Sequence, residues 1–201
     1  MKALLQIRAT LQNTQEWQDQ LIAAHFSIRA IYRFFRGCTP KIEWRDLVTR
    51  NPARPKARFI LWLALHRRLA TKDSLAFFGI TTDGICPFCD EMETADHLFF
   101  QCPITYEIMA GSLSWLQIQH PPISNWQQLL LRLRLQARGK GSKAYIFRAL
   151  LAETIYHIWM ARNATIFQQR PCDIPGTIQE IAQIVSLRCR NAKVADLLRH
   201  L

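Results

Sequence analysis

Four side chains with metal-binding chemistry fall within seventeen residues of one another. They form the run Cys86-x2-Cys89-x7-His97-x4-Cys102, inside Gly84-Ile-Cys-Pro-Phe-Cys-Asp-Glu-Met-Glu-Thr-Ala-Asp-His-Leu-Phe-Phe-Gln-Cys102. Thiolate and imidazole are the ligands from which a closed, tetrahedral structural zinc site is built. Pro87-Phe88 makes a tight turn that can aim the sulfurs of Cys86 and Cys89 at one ion, and His97 and Cys102 sit five positions apart around the start of a helix. The seven residues between Cys89 and His97 read as a hydrophilic loop with no demand for burial. Four unrelated buried side chains would not explain these paired spacings. Four protein ligands leave no open position for water, so a single Zn2+ is expected as a structural cofactor and not a catalytic one.

Other candidate chemistry is weaker. Gly139-Lys-Gly-Ser-Lys143 lacks the leading glycine and the Gly-Lys-Ser/Thr order of a phosphate-binding loop. His66 lies in an apolar stripe and reads as a satisfied core histidine. His157 and His200 each have a carboxylate one turn earlier (Glu153 and Asp196) but no third partner; His25 and His120 lack even that. No serine has the context of an activated nucleophile. Cys38, Cys172 and Cys189 are irregularly spaced and read as free thiols. No catalytic residue is assigned.

The elements that must position the four ligands are helical. Most segments show a helical period and strand alternation is scarce. Helices are predicted over 14–24 and 27–35, and Pro40 opens a segment with Trp44, Leu47 and Val48 on one face. Residues 54–69 read as the central helix, apolar nearly all round and therefore buried, with a stripe of Phe59, Trp62, Leu63 and His66 and with charges only at its ends. Thr71 is the expected cap of a helix over 72–78, which Gly79 ends. Beyond the metal loop come helices over 104–116 and 126–136, the latter begun by Ser124 or Asn125 and carrying Leu129, Leu130 and Leu133. The longest helix is predicted over 144–168, with Phe147, Leu151, Ile155, Ile158 and Trp159 on one face. A linker over 170–176 precedes a last amphipathic helix over 177–198, with Ile178, Ile181, Ile184 and Val185 apolar. The fold class is mostly α, a helical array with one zinc-stapled Cys-Cys-His-Cys loop. The domain plan is an N-terminal extension over 1–25, a zinc-binding domain over 26–118, and a C-terminal helical region over 119–201 packed on or following it, with His120-Pro-Pro as the break.

The chain has 201 residues, 26 basic against 15 acidic, and 49% apolar content. That length suits one domain or two small ones sharing a core, and seven Gly and nine Pro are too few for a disordered chain. The pI near 9.9 makes an anionic partner the default, nucleic acid above all. The first ten residues are not a secretory signal, and the most apolar run, residues 59–65, is too short to cross a bilayer. The expected location is intracellular, nucleus or cytoplasm, with no membrane partner; in a reducing compartment clustered Cys and His favour a metal over disulfides.

Phe59-Ile-Leu-Trp-Leu-Ala-Leu-His-Arg-Arg-Leu-Ala-Thr-Lys-Asp-Ser-Leu75, then Cys86-Pro-Phe-Cys89 and Glu93-Thr-Ala-Asp-His-Leu-Phe-Phe-Gln-Cys102, resembles the reverse-transcriptase zinc-binding domain. That domain lies C-terminal to the polymerase in plant LINE-type (non-LTR) retrotransposon proteins. Pro55-Lys56 fits the resemblance, as does Ile158-Trp-Met-Ala-Arg-Asn-Ala-Thr-Ile-Phe167 as its Trp…Arg-Asn…Phe tail. The similarity covers roughly residues 26–115, more loosely to about 190. It implies zinc at Cys86, Cys89, His97 and Cys102, and handling of element RNA or target DNA beside a polymerase domain in cis or in trans. The chain has no Asp-Asp pair, so the polymerase signature is absent, as are the acidic sets of an endonuclease or ribonuclease H. The expectation is a detached module without enzymatic activity of its own.

Charge is unevenly spread. Residues 29–68 hold eleven Lys or Arg and two acids; residues 73–131 hold seven acids and no Lys or Arg; residues 132–148 hold six basic residues and no acid. The metal loop is net negative even with Zn2+ bound and would repel phosphates, whereas cations on helix ends would attract them. Arg54, Lys56, Arg58, Arg67, Arg68, Arg132, Arg134, Arg138, Lys140 and Lys143 are the candidate contacts to RNA or DNA, without sequence-specific readout. Trp44, Trp62 and Trp159 fall on apolar faces and read as core. The function predicted is thus a non-catalytic, zinc-stapled nucleic-acid-binding module of retrotransposon origin; a protein-docking module, or a relic without independent function, is the alternative.

Overall fold

A computed structural model of the chain describes residue 42 and residues 44–118, 125–137 and 141–189. The helices predicted over 14–24 and 27–35, Cys38, the break at His120-Pro-Pro and everything from residue 190 onward lie outside the described residues. The described part is helical: α1 (Arg45–Val48), α2 (Pro55–Leu65), α3 (Lys72–Phe77), a π-helical turn (His97–Gln101), α4 (Pro103–Ser114), α5 (Trp126–Ala137), α6 (Ser142–Gln168) and α7 (Ile174–Arg188). Extended pairing among the described residues is limited to one antiparallel bridge, Ile85 with Met92. The mostly α reading holds.

Helix α6 is the axis of the array. Twenty-seven residues give it a length of about 40 Å. From Ala144 to Trp159 it is buried on nearly every side, because α2 and α7 pack along it and α4 and α5 also lie against it. The sequence marks only one apolar face there and assigns the central position to residues 54–69. The roles are reversed for a steric reason. Helix α2 meets the core through Ala57, Leu61 and Ala64, and two alanines among three contact positions let its backbone approach α6 closely. The larger stripe turns the other way: Phe59 is 57% exposed and His66 is exposed, not a core histidine. Trp159 is a core residue as expected, whereas Trp62 is half-buried.

Helix ends follow local chemistry. Pro55 sits in the first turn of α2, where its missing N–H costs nothing. The helix stops at Leu65, earlier than predicted, with Arg67 in the left-handed region at φ 53°. The α3 helix ends before Gly79, whose φ of +76° favours glycine. Asn125 caps α5, its Oδ1 accepting from Gln128 N–H at 3.0 Å. At α7 the predicted linker is too long: Asp173 accepts from Gly176 N–H at 3.0 Å and starts the helix at Ile174, with Pro175 in the first turn. Helix α7 packs on α4 at Gly111, where a Cβ would stand 2.5 Å from Ile178 Cδ1; that glycine is a close-approach position.

Two buried polar joints fix α6. Asn51 donates to Leu47 O and Arg148 O at 2.7 and 2.8 Å and accepts from Ala53 N–H at 2.9 Å. Glu153, fully buried, takes a forked contact from Arg54: Nε at 3.0 Å and Nη2 at 2.7 Å on one oxygen, backbone N–H at 2.9 Å on the other.

Candidate metal centre

The loop from Gly84 to Cys102 folds as a small knuckle. Gly84, at φ +72°, opens a turn closed by Glu93 N–H to Gly84 O and Cys86 N–H to Glu91 O, both 2.8 Å. The Ile85–Met92 bridge lies between them. This pairing holds Cys86 and Cys89 at one end of the knuckle.

His97 and Cys102 come from a π turn. Thr94 caps it, its Oγ1 accepting from His97 N–H at 3.0 Å and its carbonyl from Leu98 N–H at 2.8 Å. Cys102 N–H then bonds His97 O at 2.8 Å, five residues back. In an α-helix positions five apart point about 140° away from each other; one i→i+5 turn brings the fifth residue back over the first. The wider turn is therefore what puts His97 and Cys102 on the same side. Leu98, Phe99 and Phe100 anchor it in the core, the two phenylalanines edge-on to Trp126 at 5.5 and 4.9 Å.

The four predicted ligands converge. One ligand atom from each of Cys86, Cys89, His97 and Cys102 lies within 4.8 Å of every other. The Cys86 and Cys102 sulfurs are 3.9 Å apart, and Cys89 Sγ is 3.2 Å from His97 Nε2. A tetrahedron with Zn–S bonds of about 2.3 Å wants sulfurs about 3.8 Å apart, so the set fits a zinc ion. Cys86, His97 and Cys102 are buried and Cys89 is half-buried, which leaves little access for solvent. Among the described cysteines Cys102 has the most acidic thiol, pushed down to about 5 by the Cys86 thiol that donates to it and by backbone N–H groups at the start of α4. Cys86 is correspondingly held up by that donation and by burial. The pair thus favours ionisation at Cys102, and thiolate is the state in which sulfur binds metal.

The loop between the ligands is not merely hydrophilic. Glu93, expected to be solvated, has a fully buried carboxylate. Arg162 of α6, itself 4% exposed, meets it with Nη2 at 2.8 Å and Nε at 3.3 Å. The same carboxylate accepts Lys72 N–H at 3.1 Å and the Glu93 carbonyl accepts Asp73 N–H at 3.3 Å. Glu93 thereby serves the first turn of α3, a task the sequence assigns to Thr71, whose hydroxyl instead donates to the Asp73 carboxylate. Asp96 likewise meets Arg67 Nη2 at 3.2 Å and accepts Trp126 N–H at 3.2 Å. Two of the four loop carboxylates are therefore paired with arginines, and the loop is less negative than its composition suggests. Glu93 and Arg162 are the residues that sequence reasoning passed over. Their signal was a charge inside each of two quoted motifs, Glu93-Thr-Ala-Asp-His and Trp159-Met-Ala-Arg-Asn163.

The ten basic candidates fare differently. Arg54 is committed to Glu153 and stands over the Tyr156 ring at 5.0 Å, and its Nη2 also faces His157 Nε2 at 3.3 Å. Arg67 is paired with Asp96. Lys56 and Arg68 are exposed and Arg58 half-buried on or just after α2, with the Arg68 guanidinium 5.9 Å from the Trp62 ring. Lys143 is exposed on the first turn of α6. The Arg132 and Arg134 side chains, and all of Arg138 and Lys140, lie outside the described residues. Arg148, the last of that basic run, is buried and donates to Ala137 O at 2.8 Å. His157 has its Nδ1 2.7 Å from Glu153 O, while the Glu153 carboxylate is taken by Arg54 and the Glu180 carboxylate stands 3.5 Å from His157 Nε2. Cys172 and Cys189 are free cysteines, Cys189 buried. Among the described residues, no helix is long and apolar enough to cross a membrane.

Residues 26–108 match the family described as zinc-binding in reverse transcriptase. The matched span contains all four converging ligands, and Arg162 lies beyond it. No curated protein matches the chain, and no solved structure does.

Proposed function

We propose that this chain is a non-catalytic nucleic-acid-binding module in which Cys86, Cys89, His97 and Cys102 hold one structural Zn2+. The observation that carries the reading is the closed ligand set: four donor atoms within 4.8 Å of one another, three of the residues buried. Bound there, zinc would contribute folding free energy, on the order of 10 kcal/mol in small zinc domains. The chain's own residues do the rest. The π turn aims His97 and Cys102, Thr94 caps that turn, and the Glu93–Arg162 pair ties the knuckle to α6.

Contact with RNA or DNA falls to the cations outside the knuckle, chiefly Lys56, Arg58, Arg68 and Lys143. The match over residues 26–108 supports an origin beside a reverse transcriptase, which we take to be the plant LINE type, with a polymerase domain as partner in cis or in trans. On this reading the zinc-binding domain spans 26–118 and works inside the cell, and the helices beyond it serve as its support. A protein-docking role is favoured by a different surface, where Phe77 and Phe78 are 86% and 74% exposed in the segment that lacks Lys and Arg.

The test is binding of zinc-loaded protein to short single- and double-stranded RNA and DNA as a function of salt. Four phosphate contacts on a single strand predict a log–log slope of about −3, an affinity loss of about 50-fold between 50 and 200 mM salt. Absence of binding to all four nucleic acids at low salt would exclude the nucleic-acid role.

A further inference from the structure

The side of α2 turned away from α6 carries a row of rings. At about 100° per residue, Phe59, Trp62 and His66 share one meridian, opposite Ala57, Leu61 and Ala64. The Phe59 and Trp62 rings are nearly parallel, 19° apart, with centroids separated by 6.0 Å. Trp62 meets His66 edge-on at 4.6 Å, and His66 meets Trp44, just before α1, at 4.9 Å. Phe59 is 57% exposed, and the half-buried Trp62 is not among the side chains packed against the hydrophobic core, whereas Trp44 is.

Cations border the row. Lys56 and Arg58 fall on its two sides by the same helical geometry, Arg68 stands over the Trp62 ring at 5.9 Å, and Arg45 and Arg50 are exposed on and just after α1. No acidic residue occurs between Asn51 and Arg68. Rings that offer flat faces, with cations spaced along their edges, are the two requirements of single-strand binding: bases stack on the rings and phosphates meet the cations. A duplex keeps its base faces to itself and would use only the cations. An acidic peptide would likewise leave the rings idle.

We propose that Phe59, Trp62 and His66 form a base-stacking platform for single-stranded nucleic acid, with Trp44 bracing His66 from the core side. The inference rests on the nucleic-acid reading above and adds strandedness to it. The experiment titrates the full zinc-loaded chain against fluorescent poly(U) RNA, poly(dT) of equal length and a duplex of that length, at low salt. The expected result is tighter binding to one or both single strands than to the duplex, quenching of tryptophan fluorescence on binding, and displacement by unlabelled single strand but not by polyglutamate. Comparison of poly(U) with poly(dT) identifies which nucleic acid is preferred. Phe59→Ala should weaken single-strand binding about 5- to 150-fold, the worth of one stacked base, with Phe59→Tyr retaining it and duplex binding unchanged. Because Phe59 is largely exposed, thermal melting of the variant serves as the control for folding. Equal affinity for single strand and duplex, with Phe59→Ala without effect, overturns the platform and leaves the nucleic-acid reading intact. Binding to none of the three overturns both, and polyglutamate competing as well as poly(U) replaces the nucleic acid with an acidic protein partner.

Discussion

Glu93→Gln isolates the joint between the metal knuckle and the axial helix. The substitution keeps the side chain's shape and leaves an amide oxygen for Lys72 N–H, which now bonds Glu93 Oε1 at 3.1 Å. It removes the charge that faces Arg162, whose side chain is 4% exposed, and turns the oxygen that accepts Arg162 Nε into an NH2 donor. A buried guanidinium deprived of its carboxylate costs about 3–5 kcal/mol. The Trp159 ring, 5.0 Å from the Arg162 guanidinium, offsets part of this, so about 3 kcal/mol is expected. With a urea slope of about 2 kcal/mol per molar for a domain of this size, the unfolding midpoint should fall by about 1.5 M. The assay is urea unfolding followed by tryptophan fluorescence in saturating zinc, so that metal loss does not contribute. Arg162→Met should cost a similar amount, and the double variant about the same as either single one, because removing both charges leaves no orphan. A loss below about 1 kcal/mol for Glu93→Gln, or strict additivity in the double variant, would refute the claim that this pair is coupled.

Three further outcomes follow from the same contacts. Cys86→Ser and His97→Ala should each lose most of one equivalent of zinc and unfold at lower temperature, measured by metal analysis and melting; retention of a full equivalent in either removes that residue from the ligand set. Gly111→Val should cost about 1–3 kcal/mol by overpacking, since even a Cβ would stand 2.5 Å from Ile178 Cδ1, and Ile178→Ala should recover part of it in a double variant. Burial pushes Cys189 up to about 11, so at pH 8 only about one thiol in a thousand is ionised there; iodoacetamide applied after zinc chelation should label Cys102, whose thiol is pushed down, before Cys189, and its rate at Cys189 should rise steadily from pH 8 to pH 10.

What could be read in the sequence was what is local. The four ligands lie within one short segment, and their spacing encodes a turn and a helix start that need no distant partner. The helix end at Gly79 and the helix start at Ser124 or Asn125 were legible for the same reason. Failures came where the decisive partner is remote. Glu93 and Arg162 are 69 residues apart, and neither residue type announces burial until the other arrives. Helix α2 was read as buried nearly all round because its apolar residues surround it, whereas the buried contact uses Ala57, Leu61 and Ala64 and leaves Phe59 exposed. Helix α6 showed one apolar face, but its polar positions at Arg148, Glu153 and Arg162 are buried and meet partners on other segments. The π turn was hidden in the x4 spacing, which looks like the opening of an ordinary helix until the i→i+5 bond from Cys102 to His97 is seen.

The central claim is a closed Cys3His zinc site, and X-ray absorption at the zinc edge of the purified, zinc-loaded chain tests it most directly. The expected result is one zinc per chain with three sulfurs at about 2.3 Å and one nitrogen at about 2.0–2.1 Å, and no oxygen in the inner sphere. Two sulfurs, a bound water, or a folded chain that takes up no zinc would contradict it.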